Sequence, residues 1–393
     1  MCAWPTIGWT AEQWVSRDPM ASRRARQRNT GEFRAARLPK IARRSPSLPT
    51  SLATLAADAT NSMIRFDQSS PGLATLPFAA ILLRGESATS SQIENLTVRA
   101  KRLTLASIGV RDGGNAGLVA RNVTAMRAAL DASDSLDAAA ILRMHGALTE
   151  GVQDDAGTWR DEWVWIGGES PVTAAYVAPP HADVPVLIDD LVRFLARRDL
   201  DPTVHAAIAH AQFETIHPFT DGNGRTGRAL VSALLRARGV TNNLTVPLSS
   251  GLLHDVDDYI AALNAYRAGD PGPIVESFAN AADAAIANAR LLADEITAFT
   301  EDVLAARRRV TPPLRAVLDL CCREPAFTAG MLTDLAGVST PTAYRTVDGL
   351  AEAGFLSLEN AKVNGQKVWT VPAVLGALDR FAARAGRRVA AHQ

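Results

Sequence analysis

Cysteine is almost absent from this chain. Three occur in 393 residues, Cys2 and the adjacent pair Cys321 and Cys322. That number excludes a disulfide framework, none of the three has the CxxC spacing of a zinc site, and a reducing cytoplasm is the compartment expected. Long apolar runs are also missing: nothing approaches the roughly 20 residues that cross a bilayer. The first residues are charged and aromatic where a secretory leader would be apolar, so neither a membrane protein nor an exported one is expected. What is present is an ordinary globular composition, 47% hydrophobic, long enough for two or three domains with proper cores.

Net charge is zero, yet the charge is unevenly placed. Residues 17–44 hold Arg17, Arg23, Arg24, Arg26, Arg28, Arg34, Arg37, Lys40, Arg43 and Arg44 against only Asp18 and Glu32. With the Ser/Pro/Thr stretch "RRSPSLPTS" at its end, this reads as a basic, flexible arm over residues 1–49. Deleting residues 1–44 is expected from this reading to leave the fold intact, although Trp4, Trp9 and Trp14 fit such an arm poorly.

From residue 50 apolar residues recur at three and four, predicting a mainly helical body. Helical spacing covers 52–68, Asn95–Ala106, Leu136–Leu148, Pro185–Ala196, Val204–Phe213, Arg225–Ala237 and Val256–Ala268. We divide the body into an N-terminal helical region (50–135), a catalytic core (136–270), a long helical connector (271–310) and a C-terminal domain (311–393). The apolar stripe of the connector is suited to a bundle or to the seam of a homodimer. One insertion, "GTWRDEWVWIGGESPVTAAYVAPP", alternates aromatic and charged residues around Gly-Gly and reads as a β-hairpin. After Thr311 three short helices and a hairpin turning at Asn364-Gly365 spell a winged helix-turn-helix, followed by a C-terminal helix.

The densest chemistry lies in "HPFTDGNGRTGR", residues 217–228. Pro218 disfavours helix at the residue before it, so a helix should end at His217 and present the imidazole on a loop. Gly222 and Gly224 precede a helical run, where free N–H groups and the dipole make a pocket for phosphate. Arg225 and Arg228 lie one turn apart and can converge on phosphate oxygens. Asp221 is placed to hold Mg²⁺ bridging those phosphates. A zinc site from His205, His210 and His217 fits worse, since the first two point to different helix faces.

This stretch matches in full the signature of the Fic family, His-x-Phe-x-Asp/Glu-Gly-Asn-Gly-Arg-x-x-Arg, and the chain resembles family members that transfer AMP from ATP to a protein hydroxyl. The resemblance implies His217 as general base, Asp221 as the Mg²⁺ ligand, and Phe219, Gly222, Asn223, Gly224, Arg225, Gly227 and Arg228 as the nucleotide-holding set, with Phe219 anchoring the loop. It also makes the hairpin a flap on which an extended target segment pairs, with Trp159, Arg160, Val164, Trp165 and Ile166 as candidates. Upstream, "SSQIEN" matches the family's inhibitory pattern through Ser90, Glu94 and Asn95. There the glutamate is implied to pair with Arg228 in place of the γ-phosphate, a carboxylate fitting the guanidinium fork as a phosphate does.

The reading is thus an autoinhibited protein adenylyltransferase using ATP and Mg²⁺ on an unidentified target protein and on itself. The competing readings are a DNA-binding regulator with a nucleotide-sensing Fic body, and an enzyme that removes AMP. The candidate recognition helix of the winged helix-turn-helix, "TPTAYRTVDGL", carries Arg345 as its sole cation, offset by Asp348, which argues against a DNA reader.

Overall fold

The computed structural model describes residues 4–68, 78–110, 114–307 and 309–386; Cys2 lies outside them. In chain order the elements are strand β1 (Gly8–Trp14), α1 (Arg23–Arg28), β2 (Gly31–Arg37), α2 (Thr50–Gln68), α3 (Phe78–Ile93), α4 (Ala100–Ser107), α5 (Ala116–Asp131) and α6 (Ala138–Thr149). The hairpin strands β3 (Trp165–Ile166) and β4 (Tyr176–Val177) follow, then α7 (Val184–Leu195), α8 (Pro202–Ile216), α9 (Asn223–Ala237), α10 (Leu248–Leu252), α11 (Val256–Arg267) and α12 (Gly272–Ala305). The last part holds α13 (Pro312–Arg323), β5 (Ala326–Thr328), α14 (Ala329–Ala336), α15 (Thr340–Glu352), β6 (Ser357–Val363), β7 (Gln366–Thr370) and α16 (Pro372–Arg384). The fold is mainly α, as the periodicity predicts. Among the described residues no helix is long and apolar enough to cross a membrane.

By its own contacts the chain divides into two compact units that cut across the expected boundaries. Unit 1 comprises residues 1–60, 127–238 and 257–279; unit 2 comprises 61–126, 239–256 and 280–393.

In unit 1, α8 packs between α7 and α9. Helix α8 is buried along its whole length, which explains why its sequence lacks a polar face. Asp201 caps it by accepting hydrogen bonds from the N–H groups of Thr203 and Val204, and Pro202 occupies the first turn, where no N–H is needed.

The basic segment is a built part of unit 1 and not a flexible arm. Strands β1 and β2 pair antiparallel from Gly8–Arg37 to Trp14–Gly31. The inward residues Phe33 and Ala35 bury against Val177, and Ala36 against Val164 and Tyr176. Edge-to-face contacts add Trp14 on Trp165 and Phe33 on Trp163, and the Asp190 carboxylate accepts the backbone N–H groups of Ile41 and Ala42. Arg34 and Arg37 stay exposed while Phe33, Ala35 and Ala36 are buried, so a strand buried mostly through alanines looks in sequence like a charged arm. Deleting residues 1–44 is therefore expected to uncover the flap core. Loss of Phe33 alone is worth about 3–5 kcal/mol, so the unfolding midpoint followed by circular dichroism should fall by roughly 10 °C. An unchanged midpoint would return the segment to the status of an arm.

In unit 2, α3 packs against α10, α13 and α16, and α4 against α16. The buried Glu86 carboxylate accepts the Ser249 N–H at 2.9 Å and the Ser249 hydroxyl, and buried Arg84 pairs with Glu324. After α13, the three-stranded sheet has the order β5-β7-β6, with β7 antiparallel to both neighbours. The connector is a single helix, α12. Its unit 2 stripe, from Ala282 through Ile286, Leu292 and Ile296 to Val303, is buried within the chain. That burial corrects the suggestion of a dimer seam there: the apolar face is already used in the core.

Candidate active site

The site forms where α8 ends and α9 begins. Helix α8 stops at Ile216, and His217 takes a left-handed conformation (φ 51°, ψ 62°), its N–H still donating to the Phe213 carbonyl. Histidine is among the few residues that tolerate this region. Its Nδ1 lies 3.3 Å from the Glu214 carbonyl oxygen. A carbonyl only accepts, so Nδ1 carries the proton and Nε2 keeps its lone pair. The imidazole is 18% exposed. Burial pushes its pKa down to about 4, assisted by the positive charges of Arg267 and Arg160, so the ring is neutral at pH 7.

The loop that follows is held rigid by three devices. The Asn223 side chain accepts the Phe219 N–H at 2.9 Å and donates to the Phe219 carbonyl at 2.8 Å. Phe219 is fully buried, stacked on His145 at 3.7 Å and 6° and on Trp159 at 5.2 Å. His145 in turn accepts the Gly157 N–H at Nδ1 and donates from Nε2 to the Asp221 carbonyl. Arg160, buried, donates to the carbonyls of His217, Glu162 and Pro179. The desolvated guanidinium has its pKa lowered to about 10, and at neutral pH it stays a cation fixed by three carbonyl dipoles.

Gly222 (φ 76°) then caps α9; a Cβ there would meet Leu148 Cδ2 at 2.9 Å. The opening N–H groups of α9, at Asn223, Gly224 and Arg225, have no acceptor within the helix. Arg225 and Arg228 occupy its first turns, both buried, and Arg225 donates to the Asp221 carboxylate at 3.3 Å. Asp221 is 66% exposed. Arg228 lies close enough to His210 to help burial hold that imidazole neutral, near a pKa of about 3.

Several sequence-assigned residues receive different tasks here. Both polar atoms of the Asn223 amide bond the Phe219 backbone, so this side chain positions the loop. Gly227 faces α8: an added Cβ would sit 2.9 Å from Phe213 Cδ1 and Glu214 Oε1 and 3.1 Å from His210 Nδ1. It permits close helix packing and is buried away from any ligand. Gly227→Ala gains about 1 kcal/mol of helix propensity but overpacks against the immobile Phe213 ring at about 1–3 kcal/mol. The expected net result is a lower denaturant midpoint, and a raised midpoint would contradict the packing role.

Within the flap, β3 pairs with β4 through Trp165–Val177 and Ile166–Tyr176. Among the described residues β3 has no strand on its other side. Of the flap candidates, Arg160 and Val164 are buried in scaffolding roles, Trp159 supports Phe219, and Trp165 rests on Trp14; Ile166, 38% exposed, lies at the open edge. Sequence reading missed His145 and Gln153, whose side-chain amide donates to Asp221 at 3.2 Å. Their contacts bridge distant segments and leave no local pattern. It also missed the cleft of about 350 Å³ lined by Trp9, Tyr176, Asn264 and Arg267 among others, in which the Arg267 guanidinium stacks 4.0 Å from the Tyr176 ring. Among the described residues no group of three His, Cys, Asp or Glu side chains converges as a metal site, which disposes of the histidine zinc reading.

In unit 2, Ser90 is buried on α3, and Glu94, half-buried, follows the end of that helix. Asn95 takes φ 62°. The N–H of Leu96 bonds to the Ser91 carbonyl and that of Asn95 to the Gln92 carbonyl, the doubled closure of a helix C-terminus around a left-handed residue. Asparagine and glycine tolerate that conformation best, so the final position of "SSQIEN" is fixed by backbone geometry.

Residues 135–235 match the family model described as "Fic/DOC family". A protein adenylyltransferase, fic-1, of Caenorhabditis briggsae is 32% identical over 147 residues, 37% of this chain and 27% of that protein. A probable protein adenylyltransferase of Aquifex aeolicus is 36% identical over 105 residues, 26% of this chain and 31% of that one. The chain thus spans about a third or less of the length of these curated relatives. A solved Fic family protein from Desulfovibrio desulfuricans superposes with a TM-score of 0.51 at 24% identity, covering 83% of this chain and 97% of its own, which establishes a shared fold. Residues 135–235, which include the loop between α8 and α9, are thus the part of the chain that is similar to the Fic/DOC family.

Proposed function

We propose that the Fic domain transfers AMP from ATP to a Tyr, Thr or Ser hydroxyl of a target protein, and to its own chain. The observation that carries this reading is the state of His217: neutral, its Nδ1 proton directed to the Glu214 carbonyl, its basic Nε2 left for a substrate, at the mouth of a helix N-terminus. Nε2 takes the proton of the target hydroxyl as that oxygen bonds to the α-phosphorus. The bond from the α-phosphorus to the oxygen bridging to the β-phosphate breaks, and pyrophosphate leaves. The α9 N–H groups stabilise charge on the α-phosphate, and Arg225 and Arg228 hold the outer phosphates. The exposed Trp9 ring and the Asn264 amide suit the cleft to a nucleobase.

Asp221 fits Mg²⁺ as a single accessible carboxylate, since that ion is commonly held by one or two carboxylates and the phosphates themselves. When bound, Mg²⁺ neutralises phosphate charge. The names of the curated relatives agree with this activity. Residues 312–384 support a winged-helix accessory: helices, a three-stranded sheet and a wing turn occur in the required order, and α15, with Arg345 as its sole cation, is too poor in cations for DNA reading. The test is incubation with ATP labelled at the α-phosphate, Mg²⁺ and cell lysate, followed by mass analysis. Label on proteins as AMP is expected; label recovered only as free nucleotide would overturn the proposal.

A further inference from the structure

We infer that the basic face on the β1–β2 hairpin is a docking surface for an acidic, extended polypeptide segment of the target protein. The inference rests on the transferase reading and adds the substrate class. Its first observation is fixation. Arg28 Nη2 donates to Glu169 Oε2 at 2.5 Å and Asn29 Nδ2 to the same oxygen at 3.0 Å, while the Ser170 hydroxyl donates to Asn29 Oδ1 at 3.0 Å. Glu169 and Ser170 belong to the turn of the flap. The tip of the basic hairpin is thereby tied to the tip of the hairpin that presents the open β3 edge, and a chain lying along one reaches the other.

Charge supplies the second observation. Every arginine of α1 is exposed, and of the two acids in the segment Asp18 already accepts the Met20 N–H at 2.8 Å. Fixed cations on folded backbone lose less entropy on binding than the same cations on a flexible arm. The third is the apolar content of this face: Val15 is 64% and Met20 90% exposed among the arginines. A phosphate backbone makes no use of such side chains, whereas a polypeptide carrying acidic and apolar residues matches both.

The test uses the full chain and fluorescein-labelled random Glu/Tyr copolymer, with Lys/Tyr copolymer and a DNA duplex as competitors for comparison, read by fluorescence anisotropy. Arg17→Glu, Arg23→Glu and Arg24→Glu are combined, because all three side chains are exposed and lie outside both the flap and the loop at His217. At low salt the triple variant should bind the Glu/Tyr copolymer at least about 10-fold more weakly than wild type, with an unchanged unfolding midpoint. Lys/Tyr copolymer should not bind, and the difference should vanish at high salt. Equal copolymer affinity in both proteins would overturn the inference, as would tighter binding of the DNA duplex that the triple variant abolishes. Failure of the transferase reading shows separately, as absence of α-phosphate label on any protein in the same samples.

Discussion

His217→Ala is expected to lower AMP transfer by about 10²- to 10⁴-fold, the usual cost of losing a general base, measured as label from α-labelled ATP on protein. The companion His217→Asn separates chemistry from loop shape. Asparagine tolerates the left-handed backbone and can donate toward the Glu214 carbonyl, yet has no basic nitrogen. Equal loss in both variants is expected; activity retained by His217→Asn would show that only the loop geometry mattered.

The same histidine sets the acid limb. With its pKa pushed down to about 4, Nε2 stays unprotonated across the neutral range, so kcat/KM should fall only as pH approaches 4 and not near 6.5. Stability has the opposite bookkeeping of protons. His205 and His217, near 4, and His210, near 3, are all depressed by burial, so below pH 6.5 the unfolded chain binds protons that the folded one refuses. Stability therefore declines as pH falls from about 6.5 toward 4. Circular dichroism at each pH distinguishes this unfolding from titration of the base, and a limb near 6.5 in folded protein would contradict the burial of His217.

Glu94→Gly should raise AMP transfer, including self-modification, by roughly 30- to 150-fold if the brake biases the site by about 2–3 kcal/mol. The reasoning is competition. By the resemblance of "SSQIEN" to the inhibitory pattern, the Glu94 carboxylate would act at high effective concentration and compete with the γ-phosphate for a guanidinium. Its removal would then free Arg228 for ATP in the productive pose. The closure at the end of α3 is made by backbone groups of Ser91, Gln92, Asn95 and Leu96, which Glu94→Gly leaves in place. Arg228→Ala in the Glu94→Gly background should lower activity, since the phosphate then loses its grip. Equal self-labelling by wild type and Glu94→Gly at matched ATP and Mg²⁺ would sink the brake while leaving the transferase standing.

The sequence by itself determined the helices around the loop at His217 and the backbone turn between them. Apolar spacing placed α6, α7, α9 and α11 within a few residues of their observed ends, because each buries one continuous face. Pro218 and the glycines marked the end of α8 and the start of α9, because backbone sterics are local. Tertiary structure alone decided the rest. Whether Asn223 meets phosphate or the Phe219 backbone, and whether Gly227 faces a ligand or α8, depends on which neighbour approaches, and sequence spacing carries no such information. The basic strand β2 was hidden because two of the three side chains that bury it are alanines, and its partners in the flap lie more than 120 residues away. His145 and Arg160, which hold the loop at His217, reach it from 76 and 57 residues away through hydrogen bonds to backbone carbonyls. Such bonds leave no period and no motif in the chain that makes them.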